Sequence, residues 1–578
     1  MAEAKIGRRW RIAETDAAGT AALAEALAIP SLLAHLLIRR GCTTADTARL
    51  FLDASLAALP DPLQMTGMSQ AVARLQHAIS RHEPIWVCGD FDVDGVTGMA
   101  LLVSGLTRAG ADVSYAVPTR HEHGYGLPAE IVGQAADAGA RVLVAVDHGI
   151  TAHEAASLAL QRGLDLIICD HHLPPPTLPP AMAILNPRQP GCGYPFPDLC
   201  GVGIAFKLIQ ALYGPDAGDE CWPLLDLVAL GTIADLVPLV GENRILVKHG
   251  LAQLAITDRP GLRALAEVAG IRLSEAGGAT PGRVAFGLAP RINAAGRLMD
   301  ARVAVRLLLT PDPFEARELA AELDKHNRDR QALEAGILEA ALAQAEATHD
   351  LDRDRAIVVQ SAEWHPGVLG IVASRLVERY NRPAALIATM GAAARGSVRS
   401  ACGFHVADAL QRCADLLTHH GGHRAAGGFS LGADRIDAFR TRFLQVAAET
   451  IADEALEPSL DIDAEVELDR LDLSLVDWLA RLSPHGLGNP EPLLATRHVQ
   501  VMRYPRKVGR NHLKIRVREP GGDGRVVDAI GFNLGEYAER LEAAQAPRID
   551  LAYVPERNTW NGRDSLQLRI RDLHSVSE

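Results

Sequence analysis

Residues 85–95 read IWVCGDFDVDG: a short apolar run, Ile85-Trp86-Val87-Cys88, that breaks into Gly89-Asp90-Phe91-Asp92-Val93-Asp94-Gly95. A continuous apolar run of this length fits a strand covered on both faces, the strand type of a parallel α/β sheet. Such sheets bind their ligands beyond the carboxyl ends of their strands. In an extended loop residues 90, 92 and 94 point the same way, so three carboxylates converge at that end. Their mutual repulsion calls for cations. D-x-D-x-D-G also opens an EF-hand loop, but position 12 of that loop falls on Leu101, where calcium needs a bidentate Glu.

Working outward, three further sites recur at equivalent places. RVLVAV ends at Asp147, LDLIIC ends at Asp170-His171-His172, and LLDLVALGTIA is followed by Asp235. One such Asp or His is more often a helix cap or a surface residue. Four clusters in sequence, at strand or helix ends of one sheet, are expected to face a common crevice. Mixed Asp and His donors without Cys suit Mn2+ or Mg2+, with Mn2+ favoured where imidazole takes part. Two such ions can activate water and stabilise a leaving oxygen, so the residues themselves indicate two-metal phosphoester hydrolysis.

The rest of the 578 residues fits about three to four domains. Residues 1–80 read as short helices forming an N-terminal appendage, and 81–310 as the α/β phosphoesterase lobe. A charged amphipathic stretch, 311–346, reads as a connecting helix. A second α/β lobe spans 347–452, with strands RAIVVQS and AALIATM, and closes at the Gly-rich GGHRAAGGFS. Alternating stretches over 453–578 indicate five or six strands in an OB-like barrel. The expected fold is therefore two α/β lobes joined by a long helix, plus a C-terminal all-β barrel.

Charge and cysteine content narrow the function. With 58 basic and 71 acidic residues the net charge is −13, which argues against coating nucleic acid by bulk charge. Only six of the cations are Lys, so Arg abundance alone says little. Against that background RYPRKVGRNHLKIR, 503–516, holds six Lys or Arg and no acid, as a strand-tracking groove requires. Arg506, Lys507, Arg510 and Lys514 are its candidate phosphate contacts, and Tyr504 a candidate base stacker. The eight cysteines form no C-x-x-C pair, so neither a zinc ribbon nor a disulfide framework is indicated. MAEAKIGRRWRIAE lacks a signal-peptide apolar core and no run approaches 18 apolar residues, so the expected location is the cytoplasm, without a membrane.

GDFDVDG, VDHGI, DHH and GTIADLVPL, in that order, resemble the four motifs of the DHH phosphoesterase family, and GGHRAAGGFS resembles its companion DHHA1 motif. YPFPDLCGVGIAFKL, LAPRINAAGRL, WHPGVLGIVASRL, RGSVRS and PHGLGNPEP are similar to one branch, the single-strand-specific exonucleases. By position, the resemblance implies that Asp92, Asp94, Asp147, His171 and Asp235 hold two Mn2+ or Mg2+ ions. It puts Asp90 and His172 at or beside the ions and gives Asp170 the task of orienting a histidine. It implies that Ser397 and Arg399 hold a 5′ phosphate, with Arg120, Tyr125 of Gly124-Tyr125-Gly126, and Arg291, while His423 contacts the scissile phosphate or its sugar. Two departures stand out: Phe91 replaces the usual Tyr, and His148 the usual Asn or Cys, as an extra ligand, a proton donor or simply a loop histidine. PHGLGNPEP also has His485 where Phe is usual.

The implied activity is metal-dependent 5′-to-3′ exonucleolytic degradation of single-stranded DNA to mononucleotides, in recombination and repair. Single-strand-binding protein and a helicase are the implied partners, and the chain is expected to be a monomer. Two rivals remain at this point. A small-substrate hydrolase of the same family has no use for the basic barrel, and a silent scaffold has no use for the carboxylates.

Overall fold

The computed structural model describes residues 7–118, 126–215, 218–275, 277–298, 300–351, 353–502, 505–520, 525–544, 547–560 and 562–575. They divide into two compact units: Thr44–Arg330 with Leu482–Pro490, and Met1–Thr43 with Gln331–Arg481 and Glu491–Glu578. The boundary at 43/44 falls inside the N-terminal helical stretch.

The first unit is built on a five-stranded sheet. Its strands are β1 (Ile85–Gly89), β2 (Val113–Ala116), β3 (Val142–Val146), β4 (Asp165–Cys169) and β5 (Ala183–Leu185), all parallel, in the order β2-β1-β3-β4-β5. All five residues of β3 are buried, as a strand covered on both faces demands. The chain leaves β1 for one side and returns on the other at β3. A crevice therefore opens past the carboxyl ends of β1 and β3, the topological switch point where open α/β sheets bind ligands.

Helices close over that edge. Residues 90–94 are not one extended loop: helix α1 (Val93–Arg108) starts at once, with Asp92 as its N-cap accepting from the amides of Asp94 (2.9 Å) and Gly95 (3.2 Å). Asp is among the best N-cap residues, and that preference overrides extension. Helix α2 (Gly201–Tyr213) and helix α3 (Leu225–Ala234) follow, with α3 buried from Leu225 to Ile233. Helix α4 (Ala289–Leu298) reaches the start of α1, where the amide of Val93 donates to Asn293 Oδ1 at 3.2 Å. The segment Leu482–Pro490 also packs here: the buried Arg244 donates from Nη1 to Leu482 O at 2.8 Å and lies 3.9 Å over the Phe51 ring.

Helix α5 (Pro313–Thr348), 36 residues long, runs on into the other unit. There β6 (Ile357–Ser361), β7 (Ala384–Met390), β8 (Ala393–Arg399), β9 (His419–Gly422) and β10 (Ala426–Gly432) form a sheet in the order β9-β10-β8-β7-β6. Only β6 and β7 run parallel. The Gly-rich stretch is thus a hairpin rather than a closing loop. Phe429 pairs with Gly396 across it, and its ring fills the space where a Gly396 Cβ would stand 2.1 Å away. A cross-strand aromatic of this kind covers a glycine that would otherwise weaken the strand.

The C-terminal sheet has seven strands. Leu494–Val501, Arg548–Trp560, Arg563–Ser575, Val527–Gly531 and His512–Arg518 pair in turn, and Val501 returns to Val517, which closes a five-stranded barrel. The two extra strands, Ala464–Glu465 and Arg506–Val508, are too short for alternation to reveal. An N-terminal strand, Arg9–Ile12, pairs in parallel with Ser459–Ile462 in the same unit. Asp572, fully buried, accepts from the amides of Gly7 (2.8 Å) and Arg8 (3.2 Å) and from Trp10 Nε1 (2.8 Å), and Trp10 stacks on His574. Among the described residues no single helix is long and apolar enough to cross a membrane.

Candidate metal centre

Asp90 and Asp92 leave β1 and Asp147 leaves β3, on either side of the switch point. Each offers an oxygen within 4.8 Å of the other two. A second set with the same spacing is Asp94, His171 and Asp235, and a third is Asp147, His171 and His172. His171 Nε2 lies 3.2 Å from Asp147 Oδ1, 3.7 Å from Asp235 Oδ2 and 3.9 Å from Asp94 Oδ2. Asp147 and His171 thus join two neighbouring donor groups, an arrangement suited to a pair of ions.

The backbone pins each donor. Asp147 has φ +64°, a left-handed conformation that Asp tolerates better than most residues, and its amide donates to Cys169 O at 2.9 Å. The Asp94 carboxylate accepts from the amides of Gly201 (2.6 Å) and Val202 (2.8 Å) at the positive end of α2. Position 201 tolerates only glycine, because a Cβ would stand 2.7 Å from Asp147 Cβ and 3.0 Å from Asp94 Oδ2. Gly201→Ala is therefore expected to displace two donors at once and to weaken Mn2+ binding by about tenfold or more in a calorimetric titration. Unchanged Mn2+ affinity would show that the centre has slack at this contact.

Asp170 holds an orienting position. Its Oδ2 accepts from the Ile150 amide (2.9 Å), and its Oδ1 pairs with the His172 amide (3.1 Å) and with His172 Nδ1 (2.7 Å). Burial by itself raises this carboxyl, but the His172 hydrogen bond and charge and the two amides bring it down to about 2. The Asp170 bond in turn raises the half-exposed His172 imidazole.

The other carboxylates move the opposite way. Burial, then the Asp92 charge, lifts Asp94 to about 6. Burial and four neighbouring carboxylates raise Asp147. Burial with Asp94 and Asp92 lifts Asp235 to about 9. Asp235 also caps the carboxyl end of α3, where the helix dipole disfavours an anion, and its Oδ2 is out of water without a hydrogen-bond partner. Burial, then His172, brings His171 down to about 3, so its imidazole is neutral and free to ligate. Crowded carboxylates, a neutral imidazole and an orphaned buried oxygen are what divalent cations satisfy. Burial and the Asp94 and Asp235 charges keep the Cys200 thiol protonated, so no thiolate joins the donors and hard ions such as Mn2+ or Mg2+ fit the set.

Other candidates fall elsewhere. His148 is buried in none of the donor groups, with Nε2 3.6 Å from Cys88 Sγ, and burial brings it down to about 4. Arg291 is bound to Asp324 Oδ1 (2.9 Å) and Gly287 O. In the other unit Arg399 Nη1 donates to Ser397 Oγ at 3.1 Å on β8, against Gly370, and His423 is exposed at the β9–β10 bend. Arg506, Lys507, Arg510 and Lys514 are all exposed on one barrel hairpin, where Arg506 pairs across to Lys514. Arg120, Tyr125 and Tyr504 lie outside the described residues. Sequence reasoning missed Gly201, whose role rests on its contacts with Asp94 and Asp147.

The DHH family N-terminal domain matches residues 84–232, the DHHA1 domain 354–449 and the RecJ OB domain 462–572. The single-stranded-DNA-specific exonuclease RecJ of Bacillus subtilis is 41% identical over 574 residues, covering 99% of this chain and 71% of that protein. This chain belongs to the RecJ family. RecJ of Escherichia coli is 38% identical over 95% of this chain and 96% of its own length. The crystal structure of RecJ from Thermus thermophilus in complex with Mn2+ superposes with a TM-score of 0.83 at 34% identity, covering 99% of this chain and 80% of that one. The complex of that RecJ with Mg2+ gives 0.77, at 32% identity, over 99% and 79% of the two chains.

Proposed function

We propose that this RecJ-family protein is a Mn2+- or Mg2+-dependent exonuclease that degrades single-stranded DNA from the 5′ end to mononucleotides, in recombination and repair. The observation that carries the reading is the pair of donor groups joined by Asp147 and His171 at the switch point. Asp90, Asp92 and Asp147 would hold one ion, and Asp94, His171 and Asp235 the other, with His172 at the margin. Bound there, the two ions would supply an acidified water and neutralise charge on the phosphate and the leaving oxygen.

The chain's own groups do the positioning. The α2 amides hold Asp94, and Asp170 keeps the His172 ring fixed through Nδ1. Ser397 and Arg399 are assigned to a 5′ phosphate, as are Arg291, Arg120 and Tyr125, and His423 is assigned to the scissile phosphate or its sugar. The barrel hairpin bearing Arg506, Lys507, Arg510 and Lys514 is assigned to the strand farther along, since a closed barrel with an exposed basic edge suits single strands. A single-strand-binding protein and a helicase are the proposed partners of a cytoplasmic monomer.

Metal-stripped protein given 5′-phosphorylated single-stranded DNA labelled at its 3′ end is the direct test, beside the matching duplex and a dinucleotide. Stepwise shortening of the single strand alone, only with Mn2+, is expected. Cleavage confined to the dinucleotide would replace this reading with a small-substrate hydrolase, and no cleavage at all with a scaffold. Lys507→Ala combined with Arg510→Ala is expected to weaken binding of long strands and to flatten the slope of log affinity on log salt by about 1.4, at roughly 0.7 per lost phosphate contact. Equal loss on very short oligonucleotides would move the groove elsewhere.

A further inference from the structure

β5 ends at Leu185, at the same sheet edge as the metal donors, and Asn186-Pro187-Arg188 follows directly. Asn186 latches this turn to the histidine loop. Its Nδ2 donates to His172 O at 2.9 Å, and its Oδ1 accepts the Arg188 amide at 2.8 Å. The Arg188 guanidinium is then held along one side, by Nε to Pro197 O at 3.1 Å and by Nη2 to Asp198 Oδ1 at 2.9 Å. Pro197 and Asp198 lead into Cys200 and Gly201, the start of α2, whose amides grip Asp94.

The other side of the guanidinium is unused. Among the described residues Nη1 has no partner, and the side chain keeps 30% of its surface open.

We propose that Arg188 is a substrate-contacting residue whose Nη1 side donates to a non-bridging oxygen of the scissile phosphodiester. The Asp198 and Pro197 contacts fix the fork before substrate arrives, so the donor meets developing negative charge without reorganising. This inference rests on the reading of the centre as a phosphodiester hydrolase, and it adds a cation from the protein to those from the metals.

The test compares wild type, Arg188→Gln and Arg188→Lys. Arg188→Gln is expected to lower kcat/KM on single-stranded DNA by about 10²-fold or more, as loss of one preorganised donor does. Arg188→Lys, which keeps the charge but not the fork, is expected to lose about tenfold. Both should keep the wild-type Mn2+ affinity and melting temperature. Without divalent ions, the salt slope for binding a short oligonucleotide should flatten by about 0.7 in Arg188→Gln and stay unchanged in Arg188→Lys. Wild-type turnover in Arg188→Gln overturns the proposal, and so does a loss matched by weakened Mn2+ binding, which would make Arg188 a brace. If Arg188→Gln does not fold, the tenfold loss at full Mn2+ affinity in Arg188→Lys decides. If wild-type protein cleaves nothing, the hydrolase reading fails on its own, and the binding slope still reports whether Arg188 meets a phosphate.

Discussion

Asp235→Asn will reduce hydrolysis of single-stranded DNA by about 10³-fold or more while raising the melting temperature of the metal-free protein above about pH 9, where Asp235 is ionised. The two effects share one cause. Asp235 sits at the carboxyl end of α3 with Oδ2 out of water and unpartnered, facing Asp94 and the His171 ring. Asn keeps the shape and removes the charge, so it breaks no hydrogen bond of Oδ2 and relieves repulsion with Asp94 and Asp92. The same change deletes an anionic ligand, and a hard divalent ion binds a neutral amide oxygen far more weakly. Single-turnover cleavage in Mn2+ and scanning calorimetry in chelator above about pH 9 measure the two halves. Wild-type cleavage would remove Asp235 from the centre, and a lower melting temperature would show that its charge is not strained.

The metal-free protein will also lose thermal stability by several degrees as pH rises from about 5 to about 9, and saturating Mn2+ will reverse that trend. In the unfolded chain an Asp titrates near 3.9. In the folded protein Asp94 holds its proton to about 6 and Asp235 to about 9. Over that window these carboxylates bind more protons in the folded state, against His171 and His148, which are neutral when folded and oppose the trend only below about 6.5, so stability falls with rising pH. The contribution is complete below about 4 and is lost through 6 and then 9. Asp170, held near 2, has the opposite sign: its contribution is present above about 4 and lost only as pH falls toward 2. Mn2+ binds the deprotonated donors, so its stabilisation grows as pH rises. Calorimetry in chelator at pH 5, 7 and 9 decides, and a flat melting temperature would mean that the carboxylates are already separated or solvated.

Much of this was legible in the sequence because buried parallel strands are written as unbroken apolar runs. IWVC, RVLVAV and LDLIIC mark β1, β3 and β4, and the acids just past them mark the edge where the metals belong. What stayed hidden involves residues whose role depends on contacts from elsewhere in the chain. Asp92 reads as one of three equivalent carboxylates until the helix it caps is seen. RGSVR and AGGFSLG give no strand signal because glycine erases the apolar alternation, and only the pairing of Phe429 with Gly396 shows why they hold as strands. Arg188 was invisible for the opposite reason: in a chain rich in arginine nothing local distinguishes it, and its preorganisation comes from Asp198, ten residues away.

The strand Arg9–Ile12 and the buried Asp572 set a clock on biosynthesis. Gly7 leaves the ribosome 565 residues before its carboxylate partner is made. At about 5–20 residues per second, that is roughly half a minute to two minutes of waiting. Through that interval Trp10 has neither His574 to stack on nor Asp572 to accept its indole hydrogen. The phosphoesterase sheet, Ile85–Leu185, is fully translated long before then, whereas the segment Leu482–Pro490 that completes its unit emerges only shortly before the barrel is sealed.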